Sequence, residues 1–126
     1  MRAVTEGHGL QRGDSVPHLE IGTLDGGTFT YREIWQHKNL VLVALPEASG
    51  DGYASDLARH AADFRDVNSV SIVTRDRIPG LAAPGVVVAD RWGEIVYVAT
   101  PEQISGLPAV ADLIEWLQFV RRRCSG

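Results

Sequence analysis

The sequence predicts a single α/β domain with a central mixed β-sheet, flanking helices and an N-terminal β-hairpin. Three observations carry this. Residues 39–45 are a nearly continuous apolar run, the pattern of a strand covered on both faces. Two pairs of strand-like segments are joined across glycine-bearing turns, one at Asp25, Gly26 and Gly27 and the other at Asp90, Arg91, Trp92 and Gly93. Two further stretches carry apolar residues at helical spacing, one of them between predicted strands. With 126 residues and 44% hydrophobic content, the chain suits one core and is too short for two ordinary domains.

In chain order, residues 1–12 are polar, glycine-bearing and without period, and are expected to form a flexible N-terminal tail ahead of a domain spanning residues 13–126. Segments 19–24 and 28–31 form the first hairpin, with Asp25 and Gly26 supplying positive φ. Thr30 and Glu33 have the spacing of a capping box for a short helix over 31–36. The apolar strand 39–45 then runs into Pro46 and a small-residue loop. Asp51 is placed to cap a helix beginning near Tyr53, with Tyr53, Leu57, Ala61 and Phe64 facing the sheet and Arg59, Asp63 and Arg65 facing water.

Residues 70–74 are the next strand, and a single helix between it and strand 39–45 implies a parallel crossover. The linker 75–84 is rich in turn formers. Segments 85–89 and 94–99 form a second hairpin that extends the sheet antiparallel. A final helix starts near Pro108, with Val110, Leu113, Ile114, Leu117, Val120 and Cys124 as its apolar stripe. Residues 121–123, all arginine, are read as complementing that helix's negative end.

A formal net charge of -4 argues against nucleic-acid binding, which clustered basic residues usually drive. No segment approaches the length of a membrane span, and the first dozen residues lack a signal peptide's apolar stretch, so a cytoplasmic protein without membrane insertion is expected. One cysteine cannot form an internal disulfide. Cys124, on the apolar stripe, is read first as a small buried hydrophobe and only second as a thiol. Asp56 and His60, four apart near Asp51, could place two ligands on one helix face, but two ligands do not make a metal site. His8, His18 and His37 are scattered. Gly50 and Gly52 belong to no phosphate-binding motif, and the only lysine is Lys38, so no cofactor and no metal are expected. Trp35, Trp92 and Trp116 are far apart in sequence; Trp116 is expected to flank the final helix's core face, and Trp92, at a hairpin turn, is the better contact candidate, with packing against the neighbouring sheet as its first reading.

Gly13, Asp14, Val16, Pro17 and Leu19, followed by Leu24, Asp25, Gly26 and Phe29, resemble the opening of the redoxins, the alkyl hydroperoxide reductase and thiol-specific antioxidant family of the thioredoxin-like fold. Residues 40–46 resemble that family's central strand. Val86 to Asp90, with Gly93, Glu94, Ile95 and Val96, resemble the strand, aspartate turn and strand that follow its substrate-facing proline. The resemblance spans about residues 13–124 and implies a thioredoxin-like fold.

It does not carry the family's chemistry. A peroxiredoxin presents a thiolate at a helix N-terminus, where the macrodipole lowers the thiol pKa. Counting the motif P-x-x-x-T-x-x-C from Pro46 puts Gly50 at the threonine and Tyr53 at the cysteine. A phenol with an ordinary pKa near 10 is protonated at neutral pH and does not replace a thiolate. The family's arginine ahead of the strand at Val86 is replaced by Ala82, Ala83, Pro84 and Gly85, and no C-x-x-C is present.

Pro84 matches the thioredoxin-like cis-proline, and an ordinary trans turn proline is the alternative. The resemblance implies a groove there, with Glu47, Asp51 and Tyr53 on one side and Ala83, Pro84 and Gly85 on the other as the expected binding residues. The leading expectation is a non-catalytic binding, assembly or subunit module with a protein or peptide partner and a vestigial site at Pro46, Gly50 and Tyr53. The alternatives are a thiol oxidoreductase using Cys124, alone or across a homodimer, and metal-dependent hydrolysis through Asp51, Asp56 and His60.

Overall fold

The computed structural model describes residues 9–46 and 48–125, with side chains as far as Arg122. Its organising element is β3 (Asn39–Ala44), every residue of which is buried. Leu40, Leu42 and Ala44 contribute to one apolar cluster, and Val41 and Val43, with Leu45 just beyond the strand, to the other. That alternation is the period of two that a strand imposes on a sheet covered on both faces. β3 pairs in parallel with β4 (Ser69–Thr74) and antiparallel with β5 (Gly85–Ala89), and β5 pairs antiparallel with β6 (Ile95–Ala99). The order β4-β3-β5-β6 is thus the expected mixed sheet.

Helices cover one face. α1 (Asp51–Arg59), α2 (Ala61–Asp66) and α3 (Val110–Ser125) bury Leu57, Phe64, Val110, Leu113, Leu117 and Val120 against Val41, Val43, Val86 and Val88. The opposite face is covered by a hairpin of β1 (Glu20–Gly22) and β2 (Thr28–Thr30), by Tyr31, and by Ile78 and Leu81 of the segment before β5. β1 and β2 form a separate two-stranded sheet, fastened to the end of β4 where the Leu24 N–H donates to the Val73 carbonyl and the Thr74 hydroxyl to the Gly22 carbonyl.

Both hairpins close by one device. The Thr23 N–H donates to the Gly27 carbonyl around a three-residue loop with Gly26 at φ 93, and the Asp90 N–H donates to the Glu94 carbonyl around a loop with Gly93 at φ 90. An aspartate fixes each loop: Asp25 accepts the Gly27 N–H, and Asp90 accepts those of Trp92 and Glu94. Asp25 itself is not at positive φ, so only the glycine carries the left-handed conformation.

Three local expectations are corrected. The capping box does not form: Thr30 donates across the hairpin to Glu20, and residues 31–33 make only a single 3-10 turn. Asp51 is not an N-cap, because Gly50 takes that place at φ 88 and Asp51 lies in the first turn. The expected single helix breaks at His60. There the His60 N–H turns to the Leu57 carbonyl, and the ring Nδ1 takes the Asp56 carbonyl that would have accepted that N–H in a continuing helix. The break leaves Ala61 exposed, and Ala54 packs on the core instead. Arg121 donates to the Asp66 carbonyl at the C-terminal end of α2.

Chain entry is tied down before residue 13, since the Leu10 N–H donates to the Gly80 carbonyl and Gly13 and Asp14 exchange bonds with Ile95. Gly85 is required by close approach: a Cβ there would sit 2.3 Å from the Ala82 carbonyl oxygen and 2.9 Å from Leu81 Cδ1. Gly52 is the opposite case, in the first turn of α1 with nothing within 4 Å of the added atom. Gly85→Ala is therefore expected to destabilise by about 1–3 kcal/mol, and Gly52→Ala to stabilise by about 0.5–1 kcal/mol, read as opposite shifts of the urea midpoint at unchanged m.

Candidate functional site

The loop leaving β3 is held by one side chain that the sequence reading did not single out. Arg75, just past the end of β4, donates to the Pro46 carbonyl, to the Ser49 carbonyl at 2.7 Å and to Asp51 Oδ1 at 2.7 Å. β3 and β4 are parallel and in register from Asn39 with Ser69 to Ala44 with Thr74, so their C-terminal ends deliver Pro46 and Arg75 side by side. The signal is an arginine one residue past a strand parallel to the site strand.

Gly50 is a glycine of necessity. At φ 88 it lies where side chains are disfavoured, and a Cβ would fall 2.8 Å from Leu45 Cδ2. The threonine of the peroxidatic motif has no room at this position. Tyr53 likewise serves the fold: its hydroxyl donates to the Pro108 carbonyl at 2.7 Å, and its ring packs on the helical face of the sheet with the cluster that includes Leu57 and Leu113. Burial, with smaller contributions from Tyr97, Asp56 and Asp112, pushes its pKa up to about 12.

A cleft of about 730 Å³ opens on the other face of the sheet. Pro46 and Ala83 both line it, with Ala44, Ile78, Leu81 and Arg75. The Ala83–Pro84 peptide is cis, and Pro84 and Gly85 are buried beneath the exposed Ala83. Of the expected binding residues, Ala83 alone among those described lines this cleft, where it meets Pro46 of the expected vestigial site. Asp51 joins them only through Arg75, Tyr53 is directed into the helical layer, and Glu47 lies outside the described residues.

Asp51, Asp56 and His60 do not converge as ligands. Asp51 pairs with Arg75, Asp56 with Arg59, and His60 Nδ1 with the Asp56 carbonyl. Among the described residues no group of three or more His, Cys, Asp or Glu side chains could hold a metal ion. Cys124 lies in the last turns of α3, with its side chain outside the described part. Trp92 is 54% exposed with the Arg91 guanidinium over its ring, Trp35 donates to the Trp92 carbonyl, and Trp116 stacks on Tyr97.

Tyr53→Phe removes one neutral hydrogen bond and is expected to cost about 1 kcal/mol at pH 7. The pH dependence follows from the raised pKa. A phenol whose folded value exceeds its unfolded value adds stability that is complete below about pH 10 and is lost as pH rises through about 12. Urea midpoints taken between pH 8 and 12 should fall less steeply for Tyr53→Phe than for the parent, and equal slopes would contradict the assignment.

No family model matches the sequence, and no curated protein matches it. The fold does match solved structures. The mitochondrial 2-Cys peroxiredoxin of Plasmodium falciparum superposes with a TM-score of 0.75 at 9% identity, covering 92% of this chain and 97% of that one. Reduced Plasmodium vivax 2-Cys peroxiredoxin gives the same score and identity over 92% of this chain and 84% of its own. Mycobacterium tuberculosis AhpC gives 0.61 at 15% identity over 87% and 94%. Identities this low speak for architecture alone, and in architecture the chain has the peroxiredoxin-like form of the thioredoxin fold.

Proposed function

We propose that this chain is a non-catalytic binding module on a redoxin scaffold, and that the cleft between Pro46 and Ala83 takes an extended segment of a protein partner. The observation that carries this reading is Tyr53. Where the peroxidatic motif calls for a thiolate, the chain has a phenol with a pKa near 12, bonded to the Pro108 carbonyl and packed into the helical layer. Such a group stays protonated at neutral pH and offers no nucleophile to a peroxide O–O bond.

Arg75 supports the same reading. Its guanidinium holds the loop closed on Pro46, Ser49 and Asp51 rather than turning its donors toward a substrate. The cleft joins apolar wall residues Ile78, Leu81 and Ala83 to the exposed Arg77 and Thr100, a mixture suited to a peptide whose side chains alternate between wall and rim. A single cysteine in 126 residues fits a cytoplasmic setting for such a module. No helix among the described residues is long and apolar enough to cross a membrane.

The competing reading, a thiol oxidoreductase using Cys124 alone or across a homodimer, differs in activity. Hydroperoxide consumption and thiol-disulfide exchange are to be measured for the parent and for Cys124→Ser, alongside affinity capture from native cells with the parent and with Ala83→Arg. The expected result is no turnover by either protein and a partner retained by the parent but lost from Ala83→Arg. Turnover by the parent that disappears in Cys124→Ser overturns the proposal, as does a partner set unaffected by Ala83→Arg.

A further inference from the structure

Three arginines from three different elements meet at the other end of the sheet. Arg65 in the last turn of α2, Arg91 in the β5–β6 turn and Arg121 in α3 line a cleft of about 350 Å³, with Asn39 and Asn68 among the other walls. Asn39 begins β3 and Pro46 follows its end, so this cleft and the one described above are separated by the length of that strand, about 20 Å.

The clustering runs against the composition, because the chain as a whole has a formal net charge of -4. Asp66 is the one carboxylate lining the cleft, so the lining carries a net positive charge. Part of this is explained by helix ends. Arg65 and Arg121 lie where cations are favoured, and Arg121 donates to the Asp66 carbonyl at the end of α2. The same explanation does not reach Arg91, which belongs to a turn between strands.

Arg91 is also held in place. Its carbonyl accepts the Gln36 N–H at 2.7 Å, its turn is fixed by Asp90, and its guanidinium carbon stands 4.9 Å from the centroid of the Trp92 ring. A guanidinium over an aromatic ring keeps its N–H donors in the plane of the group, available to a further acceptor. A fork of that kind matches the oxygens of a phosphate.

We propose that this cleft binds a small phosphate-bearing molecule, with Arg65 and Arg91 as the principal contacts and Arg121 completing the positive wall. The volume lies at the lower end of the range of small-molecule sites, about 300–1,000 Å³, which suits a compact anion. The site is independent of the peptide cleft and of any thiol chemistry.

The test is calorimetric titration of the intact chain with inorganic pyrophosphate in a phosphate-free buffer at about 0.1 M ionic strength, where charges about 20 Å apart are screened. Saturable binding at one site is expected, weakened about tenfold or more in Arg65→Gln and in Arg91→Gln. Both side chains are exposed, so folding should be retained, which circular dichroism checks. Arg77→Gln, in the other cleft, should leave the affinity within about twofold of the parent, as expected for a charge that makes no contact with the ligand. Absence of saturable binding, parent-like affinity in both Arg65→Gln and Arg91→Gln, or an equal loss in Arg77→Gln overturns the assignment.

Discussion

β3 has no face open to water and no edge left unpaired, since β4 lies on one side and β5 on the other. A strand in that position must alternate apolar residues in both directions, which is what Leu40 through Leu45 do. Its parallel pairing with β4 demands a crossover, which α1 and α2 supply. Its antiparallel pairing with β5 brings the segment around Ala83 and Pro84 to the same end of the sheet as Pro46. Both clefts, one at each end of the strand, take their walls from elements that β3 positions.

The layout of the sheet was legible because period and turn chemistry both act locally. The apolar run at 39–45, the glycines at 26 and 93 and the stripe from Val110 to Val120 each specify one element with little help from elsewhere. What the sequence hid was set by contacts between distant parts. Thr30 had the spacing to cap Glu33's turn, yet its hydroxyl found Glu20 across the hairpin. Asp51 had the chemistry of a cap, but the backbone at Gly50 had already turned left-handed against Leu45, and Arg75 claimed the carboxylate from outside the helix. His60 ended α1 through a ring-to-carbonyl bond that no propensity encodes.

The candidate site divides the same way. The motif count from Pro46 identified Gly50 and Tyr53 as positions without peroxidatic chemistry, and the geometry gives each a reason to be what it is. Gly50 admits no side chain without a clash, and Tyr53 joins α1 to the residue just ahead of α3 through the Pro108 carbonyl. The partner of the loop was not legible, because Arg75 comes from another strand and meets Pro46 only through the register of β3 with β4. The expected groove also straddled the sheet: Pro46 and Ala83 face the cleft, whereas Tyr53 packs on the opposite face.

Three features thus stand against thiol chemistry at this loop, and they are coupled: a backbone that excludes threonine at 50, a side chain at 53 directed into the helical layer, and an arginine already bonded to the loop. Placing a thiol at position 53 should therefore not by itself make a peroxidase. The most direct test is the rate of hydroperoxide consumption by Tyr53→Cys, measured in the Cys124→Ser background against a free thiol at the same pH. The account predicts a rate no greater than that of the free thiol. A rate on the order of a thousandfold above it, as positioned and activated nucleophiles achieve, would contradict the claim that the geometry of this loop serves the fold rather than thiol chemistry.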